Sequence, residues 1–421
     1  MRVLIQAVGS AGDVHPFVAL GRALRARGHD VRLVTNGAFR AAVEAAGLGF
    51  VELGTAEEYR QLIGNPDLWH PRRGPQVVFR DGLLPRLAAA TDLVLAEARA
   101  GADVLVGSTL AWPARIAREV LGVPLVVAHL APSVLPSSVR APLLPGTLLS
   151  PRAPAAWNRV QWLLVDRLTD AFVRAGVEAA RGRHGLPPIR RVFYGWMNEA
   201  DALLGLFPGW FGPPQPDWPR GVVLAGFLRG EDEGAGDDDP GLDEWLAAGP
   251  APVVFTAGSA NVHGAGFYRE SLEAADRIGR RALIVTRERS LLPARLPDWA
   301  RHAAHAPFAR VLPRAAALVS HGGIGTCAEG LAAGLPQLVR PLGFDQIDNG
   351  SRLADLGVGS VLADRAYRAP RVAAELRRLL GSTSVATACA SARARLARDS
   401  AAAEATELVE RAARRCGSLA S

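Results

Sequence analysis

The sequence predicts an α/β protein made of two doubly wound domains, each a parallel sheet covered by helices on both faces. Three observations predict it. At 421 residues the chain is too long for one comfortable core, so two domains of roughly 200 residues are expected. Short apolar runs of strand length alternate with stretches of helical periodicity in both halves. Between the halves, Gly230 to Pro240 is acidic, glycine-rich and aperiodic, the composition of a solvated linker. The expected organisation is an N-terminal domain over 1–225, a linker over 226–251, a second domain over 252–400 and a helical tail over 401–421.

The elements follow in chain order. Val3 to Val8 is a buried-strand run, Gly9-Ser10-Ala11-Gly12 is a turn, and Pro16 to Arg27 has Phe17, Leu20 and Leu24 at helical spacing. Gly28-His29 ends that helix and Asp30 to Thr35 is the next strand; further strands are expected at Val104–Val106 and Leu125–Ala128. The second series begins at Pro252–Thr256 and continues through Ala282–Thr286, Ala317–Ser320 and Gln337–Arg340. Repeated βα units of this length imply parallel sheets, and two such domains leave a cleft at the carboxyl ends of their strands, where ligands bind. The Ala/Arg-rich stretch from Ala386 to Arg415 reads as one helix packing back across the domain pair.

Bulk properties narrow the function. The basic residues are 48 arginines with no lysine, the mark of a GC-rich coding bias, and the net charge of +7 is spread without dense basic blocks. That argues against nucleic acid and leaves a salt-sensitive attraction to anionic membrane surfaces. Cys327, Cys389 and Cys416 are far apart and fit a reducing compartment. Met1-Arg2 leads into a strand rather than a signal peptide, and the longest apolar stretch, Val120 to Pro136, is broken by three prolines. A cytoplasmic protein in peripheral contact with the inner membrane is expected.

The chemistry concentrates at strand ends. In the second half, Thr256-Ala257-Gly258-Ser259 follows one strand and offers a hydroxyl and backbone N–H groups to phosphate. Ser320-His321-Gly322-Gly323-Ile324-Gly325-Thr326 runs from a strand through a glycine turn into a helix, so amides and the positive end of the helix dipole converge on an anion. Glu329, one turn beyond Thr326, can accept bonds from ribose hydroxyls, and Asp345-Gln346 is an acceptor-rich pair suited to sugar hydroxyls. A diphosphate carrying a sugar satisfies all of these. In the first half, Gly12-Asp13-Val14-His15-Pro16 also follows a strand. Asp13 is placed either to cap the helix near Pro16 or to act as general base on an acceptor hydroxyl, and His15 is a rival base. Asp237-Asp238-Asp239 lies in the linker and reads as solvation; neither a metal nor an organic cofactor is expected.

On these residues the chain resembles the GT-B glycosyltransferases that use nucleotide sugars and include macrolide, sterol and glycolipid enzymes. Gly9 to Pro16 matches the family's Gly-(Ser/Thr)-x-Gly-Asp-Val-x-Pro opening, and His321-Gly322-Gly323 with Asp345-Gln346 matches its donor signature. The resemblance implies two Rossmann-like domains facing a cleft and an inverting, metal-independent transfer. It assigns the catalytic base to Asp13, leaves His15 on the acceptor side, and puts His305-Ala306 where the family stacks an aromatic on the donor base. His321 and the helix dipole then take the place of a metal at the departing diphosphate.

Within the family the likeness extends to the rhamnosyltransferases of mono-rhamnolipid synthesis, through Asn65 to Trp69, Phe193 to Met197, Leu206 to Phe211 and Phe344 to Asn349. It implies transfer of rhamnose from dTDP-rhamnose to a 3-(3-hydroxyalkanoyloxy)alkanoate, with Trp69, Phe79, Trp112, Trp162 and Trp196 expected to line a pocket for acyl chains. Three other readings fit the same residues: transfer from UDP-glucose or another activated sugar to a sterol, polyketide or different lipid, a nucleotide-sugar 2-epimerase, and a non-catalytic nucleotide-sugar-binding subunit.

Overall fold

The computed structural model describes residues 1–229 and 240–417, with the side chains of 240 and 415–417 left out. The Asp237–Asp239 run lies outside the described residues. The chain divides into two compact units, one of Met1–Gly230 with Ser400–Ser421 and the other of Glu231–Asp399.

The first unit holds seven strands: β1 (Arg2–Gln6), β2 (Asp30–Thr35), β3 (Gly49–Glu52), β4 (Val104–Ser108), β5 (Leu125–His129), β6 (Ala202–Gly205) and β7 (Val222–Leu224). They form one sheet in the order β3-β2-β1-β4-β5-β6-β7, and every pairing is parallel. Side chains alternate faces along a strand, and β1 shows the consequence. Val3 and Ile5 pack with Phe17, Leu20 and Leu24 of the first helix (Ala11–Ala26), whereas Leu4 packs on the other face with Val94, Leu95 and Ala114. Both faces of the sheet are therefore covered, as the near-continuous apolar strands predict.

The second unit holds β8 (Val253–Thr256), β9 (Ala282–Val285), β10 (Ala300–Ala303), β11 (Ala317–Ser320), β12 (Gln337–Val339) and β13 (Gly359–Val361). Their order is β10-β9-β8-β11-β12-β13, again wholly parallel. In each sheet the order reverses beside the first strand of its series, between β1 and β4 and between β8 and β11. Loops leaving adjacent strands part at such a point and open a crevice at the carboxyl ends.

Three boundaries differ from the sequence reading. The first helix begins at Ala11, not near Pro16, so Asp13 lies in its first turn. The stretch expected to be linker contains a helix, Pro240–Ala247, whose Leu242 and Leu246 join the core of the second unit. The Ala/Arg-rich tail is two helices, Thr383–Leu396 in the second unit and Ala401–Gly417 in the first. Asp399-Ser400 interrupts it, and residues of this type begin helices rather than continue them. The last helix leaves the second unit and returns to pack on the first. Ala405, Leu408, Val409 and Ala412 share the core of Val3 and Phe17, and Glu410 receives Arg27 (2.7 and 2.9 Å) and meets His29 Nε2 (2.9 Å).

Candidate active site

In the second unit the switch point brings the loops after β8 and β11 together around one imidazole. Gly258 has φ +89° and Gly322 has φ +90°, both in the left-handed region that glycine tolerates. A Cβ on Gly258 would lie 2.6 Å from His321 Cε1, and one on Gly323 would lie 2.5 Å from His321 Nε2. The ring thus sits between two positions that only glycine can fill. Burial lowers its pKa to about 4, so at neutral pH it is an uncharged imidazole that donates from one nitrogen only. The helix Ile324–Ala333 starts at once beyond the ring, with Gly323 as N-cap and Cys327 N–H donating to the Gly323 carbonyl (3.0 Å). Its first amides, from Ile324 to Thr326, have no intrahelical acceptor and are directed at whatever anion lies before the helix.

The loop after β12 is tied to the same turn. Asn349 Nδ2 donates to the Gly322 carbonyl (3.0 Å) and to Asp345 Oδ2 (2.7 Å), a bridge between the glycine turn and the acidic pair. Gln346 is buried, and its side-chain carbonyl accepts from the amides of Leu342 (2.8 Å) and Gly343 (3.2 Å). Gln346 therefore shapes the loop, and Asp345 at the start of helix Gln346–Asp355 is the more open of the two. Phe344, just before it, holds φ +55°, a conformation that costs a side chain about 1–3 kcal/mol. Ser259 is exposed, Thr326 and Glu329 are half-buried one turn apart on their helix, and His305 follows edge strand β10 while Ala306 is part of the core.

The first unit has a different filling at its own switch point. Asp13 Oδ2 accepts from Ser10 N–H (2.7 Å) and from the Ser10 hydroxyl (2.9 Å), the reach-back of a residue in the third helical position to the N-cap. Gly9, with φ +136°, would place a Cβ 2.4 Å from that oxygen. Burial raises the Asp13 pKa above the usual carboxylate value, against the two bonds from Ser10 that lower it. The turn is pinned to the neighbouring strand by Val8 N–H donating to Ser108 Oγ (3.2 Å). Beyond Ser108, the Thr109 hydroxyl meets His129 Nδ1 (3.0 Å), and His129 Nε2 meets Asn198 Oδ1 (3.1 Å). Burial, with the nearby Arg115 cation, lowers the His129 pKa to about 3, so this chain of bonds is uncharged at His129.

Residues 3–137 match the glycosyltransferase family 28 N-terminal domain, and residues 271–413 match the erythromycin biosynthesis protein CIII-like C-terminal domain. The O-mycaminosyltylonolide 6-deoxyallosyltransferase of Streptomyces fradiae is 31% identical over 382 residues, spanning 86% of this chain and 85% of that protein. The chain belongs to the GT-B glycosyltransferase family. Solved structures share its fold: the glycotransferase of kitacinnamycin has a TM-score of 0.73 at 23% identity, covering 98% of both chains. A spinosyn rhamnosyltransferase solved with thymidine diphosphate has a TM-score of 0.68 at 22% identity, covering 97% of this chain and all of its own.

For this glycosyltransferase the aromatic residues expected to line an acyl pocket need correction. Trp112 stacks on Phe79 (centroids 5.7 Å apart) and tilts against Trp196 (6.5 Å), and all three are buried in one core cluster with Val173 and Val177. Trp196 Nε1 donates to Glu119 (2.6 Å), with Arg181 over its ring. Trp162 packs separately, edge-on to Tyr194 (4.5 Å), and donates to the Ser137 carbonyl (2.8 Å). Their faces are spent on one another, so they support the fold. Trp69, in the turn Pro66–Trp69, is half-buried, and His15 meets Phe39 edge-on at 6.3 Å. Sequence reasoning missed Asn349, Thr109 and His129, each of which has a partner 20 or more residues away along the chain.

Proposed function

We infer that this glycosyltransferase moves a hexose from a nucleoside diphosphate to the hydroxyl of an apolar acceptor, with inversion at the anomeric carbon. The observation that carries the reading is the uncharged His321 held between Gly258 and Gly323 at the start of a helix, a ready cradle for a departing diphosphate. His321 and the amides of Ile324–Thr326 bind the phosphates, Ser259 adds a hydroxyl, Glu329 takes ribose or deoxyribose hydroxyls, and Asp345 takes sugar hydroxyls. His305-Ala306 flank the base. Asp13 accepts the proton of the acceptor hydroxyl, that oxygen bonds to the anomeric carbon, and the sugar–phosphate bond breaks to release the nucleoside diphosphate. A carboxylate with a raised pKa is a stronger base than an ordinary one, which suits this role.

The donor we propose is dTDP-rhamnose and the acceptor a 3-(3-hydroxyalkanoyloxy)alkanoate, from the likeness of Asn65–Trp69, Leu206–Phe211 and Phe344–Asn349 to the rhamnolipid enzymes. A second reading, a deoxysugar moved to a macrolide, is favoured by the Streptomyces fradiae relative. Purified protein incubated with dTDP- and UDP-sugars, against hydroxyacyl lipid and macrolide aglycone acceptors, separates them. Rhamnosylated lipid is the expected product; a glycosylated macrolide with no lipid product overturns the acceptor assignment. Nucleotide-sugar 2-epimerisation without transfer would overturn the reaction itself.

A further inference from the structure

The long helix Ala155–Gly182 is built inside out. Its inward face carries Asn158, Gln161, Asp166 and Arg181 beside Trp162, Val173 and Val177. Asn158 Nδ2 donates to the carbonyls of Ser138 (3.1 Å) and Ser150 (2.9 Å). Asp166 is held by Arg191, and Asp170 accepts from Val192 N–H (3.0 Å). The outward face carries Trp157, Val160, Leu164, Leu168 and Phe172, spaced by three or four residues and so aligned in one stripe about 22 Å long. Each is between 46% and 58% exposed, with Leu163 (54%) beside them and Leu148 (66%) and Val139 (48%) on the preceding loop. The indole of Trp157 donates to the Leu148 carbonyl (3.3 Å), joining loop and helix. A monomeric protein rarely leaves so many large apolar side chains together in water.

The charges beside the stripe have one sign. Every exposed residue from Ala156 to Ala175 is apolar or arginine, because both aspartates of this stretch turn inward. Arg159 and Arg167, with Arg152 just before the helix, have no carboxylate partner among the described residues, and Arg174 pairs with Glu178 (2.8 Å). An apolar stripe flanked by unpaired arginines fits a surface that is greasy below and anionic above. Among the described residues no helix is long and apolar enough to cross a membrane. We propose that the outward face of Ala155–Gly182, with Leu148 and Val139, docks the first unit on an anionic lipid bilayer: the apolar side chains enter the acyl boundary and Arg152, Arg159 and Arg167 meet lipid phosphates. The proposal goes beyond sugar transfer, since it holds whichever hydroxyl is the acceptor.

Co-sedimentation with vesicles of equal parts phosphatidylcholine and phosphatidylglycerol tests it, with pure phosphatidylcholine vesicles as the reference. The full chain should partition to the anionic vesicles, less so as salt rises. Leu164→Glu with Leu168→Glu should weaken partition tenfold or more, and Arg159→Gln with Arg167→Gln by about 25-fold, at roughly fivefold per cation. Circular dichroism and nucleotide calorimetry, run on each variant, separate lost docking from lost fold or lost donor binding. Failure of the folded wild type to partition overturns the proposal, as does partition that survives the glutamate pair. A dimer dissolved by the glutamate pair, without vesicle binding, would mean that a second copy covers this face.

Discussion

Asp13 and His321 stand on opposite sides of the switch point in their units: Asp13 follows β1, the counterpart of β8, and His321 follows β11, the counterpart of β4. Each follows a strand beside a topological switch point, β1 next to β4 and β11 next to β8, and each is packed against a glycine that no larger residue could replace. In the first unit the space is filled by side-chain groups that hold a carboxylate: the Ser10 hydroxyl and amide on Asp13, and Ser108 pinning the turn. In the second unit glycines take the place of side chains around a buried, neutral ring at the start of a helix. One topology holds a buried carboxylate in one case and a neutral imidazole at a helix start in the other.

The largest expected effect comes from removing the proposed base. Asp13→Asn keeps the reach-back to Ser10 in shape but cannot accept a proton, so transfer should fall by roughly 10²–10⁴. Calorimetry should show nucleotide affinity unchanged. Wild-type turnover in this variant would remove Asp13 from the reaction. Next come the two glycines, which break the comparison most directly. Gly258→Ala drives a methyl into the His321 ring and should weaken nucleotide binding about tenfold or more, at the scale of one lost charge-assisted contact. Gly9→Ala drives one into Asp13 Oδ2 and should lower turnover while leaving nucleotide affinity alone. Equal effects of both variants on nucleotide affinity would dissolve the division of labour.

How much of this was legible follows from how local each feature is. The strands that precede the site, β1, β8 and β11, are short apolar runs ending in glycine turns, and such runs announce themselves. β3, β10 and β13 do not: they are edge strands such as Gly359-Ser360-Val361, half-exposed, and made strands by the neighbour they pair with. His321 and Asp345 could be read because glycines and helix starts surround them. Asn349, which joins them, could not, since its partner is the Gly322 carbonyl 27 residues away. Nor could the division of the tryptophans: composition does not tell a Trp112 locked between Phe79 and Trp196 from a Trp157 left half in water.

The pH dependence of the two units sharpens the comparison further. Asp13 titrates above the ordinary carboxylate range, so turnover should fall with acidification in a limb above pH 3.8. The Ser10 bonds lower that pKa, so Ser10→Ala should move the limb to higher pH, with a loss of stability of about 1 kcal/mol for the weakened cap. His321 stays neutral down to about 4, so nucleotide affinity should be flat from pH 8 to pH 5 apart from titration of the phosphates themselves. A rate limb that does not move in Ser10→Ala would assign the titration to another group.

The smallest effect concerns the last helix, which follows the second unit in sequence and belongs to the first. Glu410, on the last helix, is held by Arg27 through two bonds and by His29 through one, and these lower its pKa to about 2. A carboxyl lowered from 4.5 to about 2 on folding contributes stability that is fully present above pH 4.5 and is lost as pH falls toward 2. The pair lies near solvent, so screening keeps its contribution small. Glu410→Gln should therefore lower the denaturation midpoint slightly at pH 7, and the gap from wild type should close as the pH drops through that window. Because the second unit has no share in this contact, nucleotide affinity should not change. A gap that persists at pH 2 would show that the substitution acts other than through the charge of Glu410, and no gap at pH 7 would leave the helix held by Ala405, Leu408 and Val409.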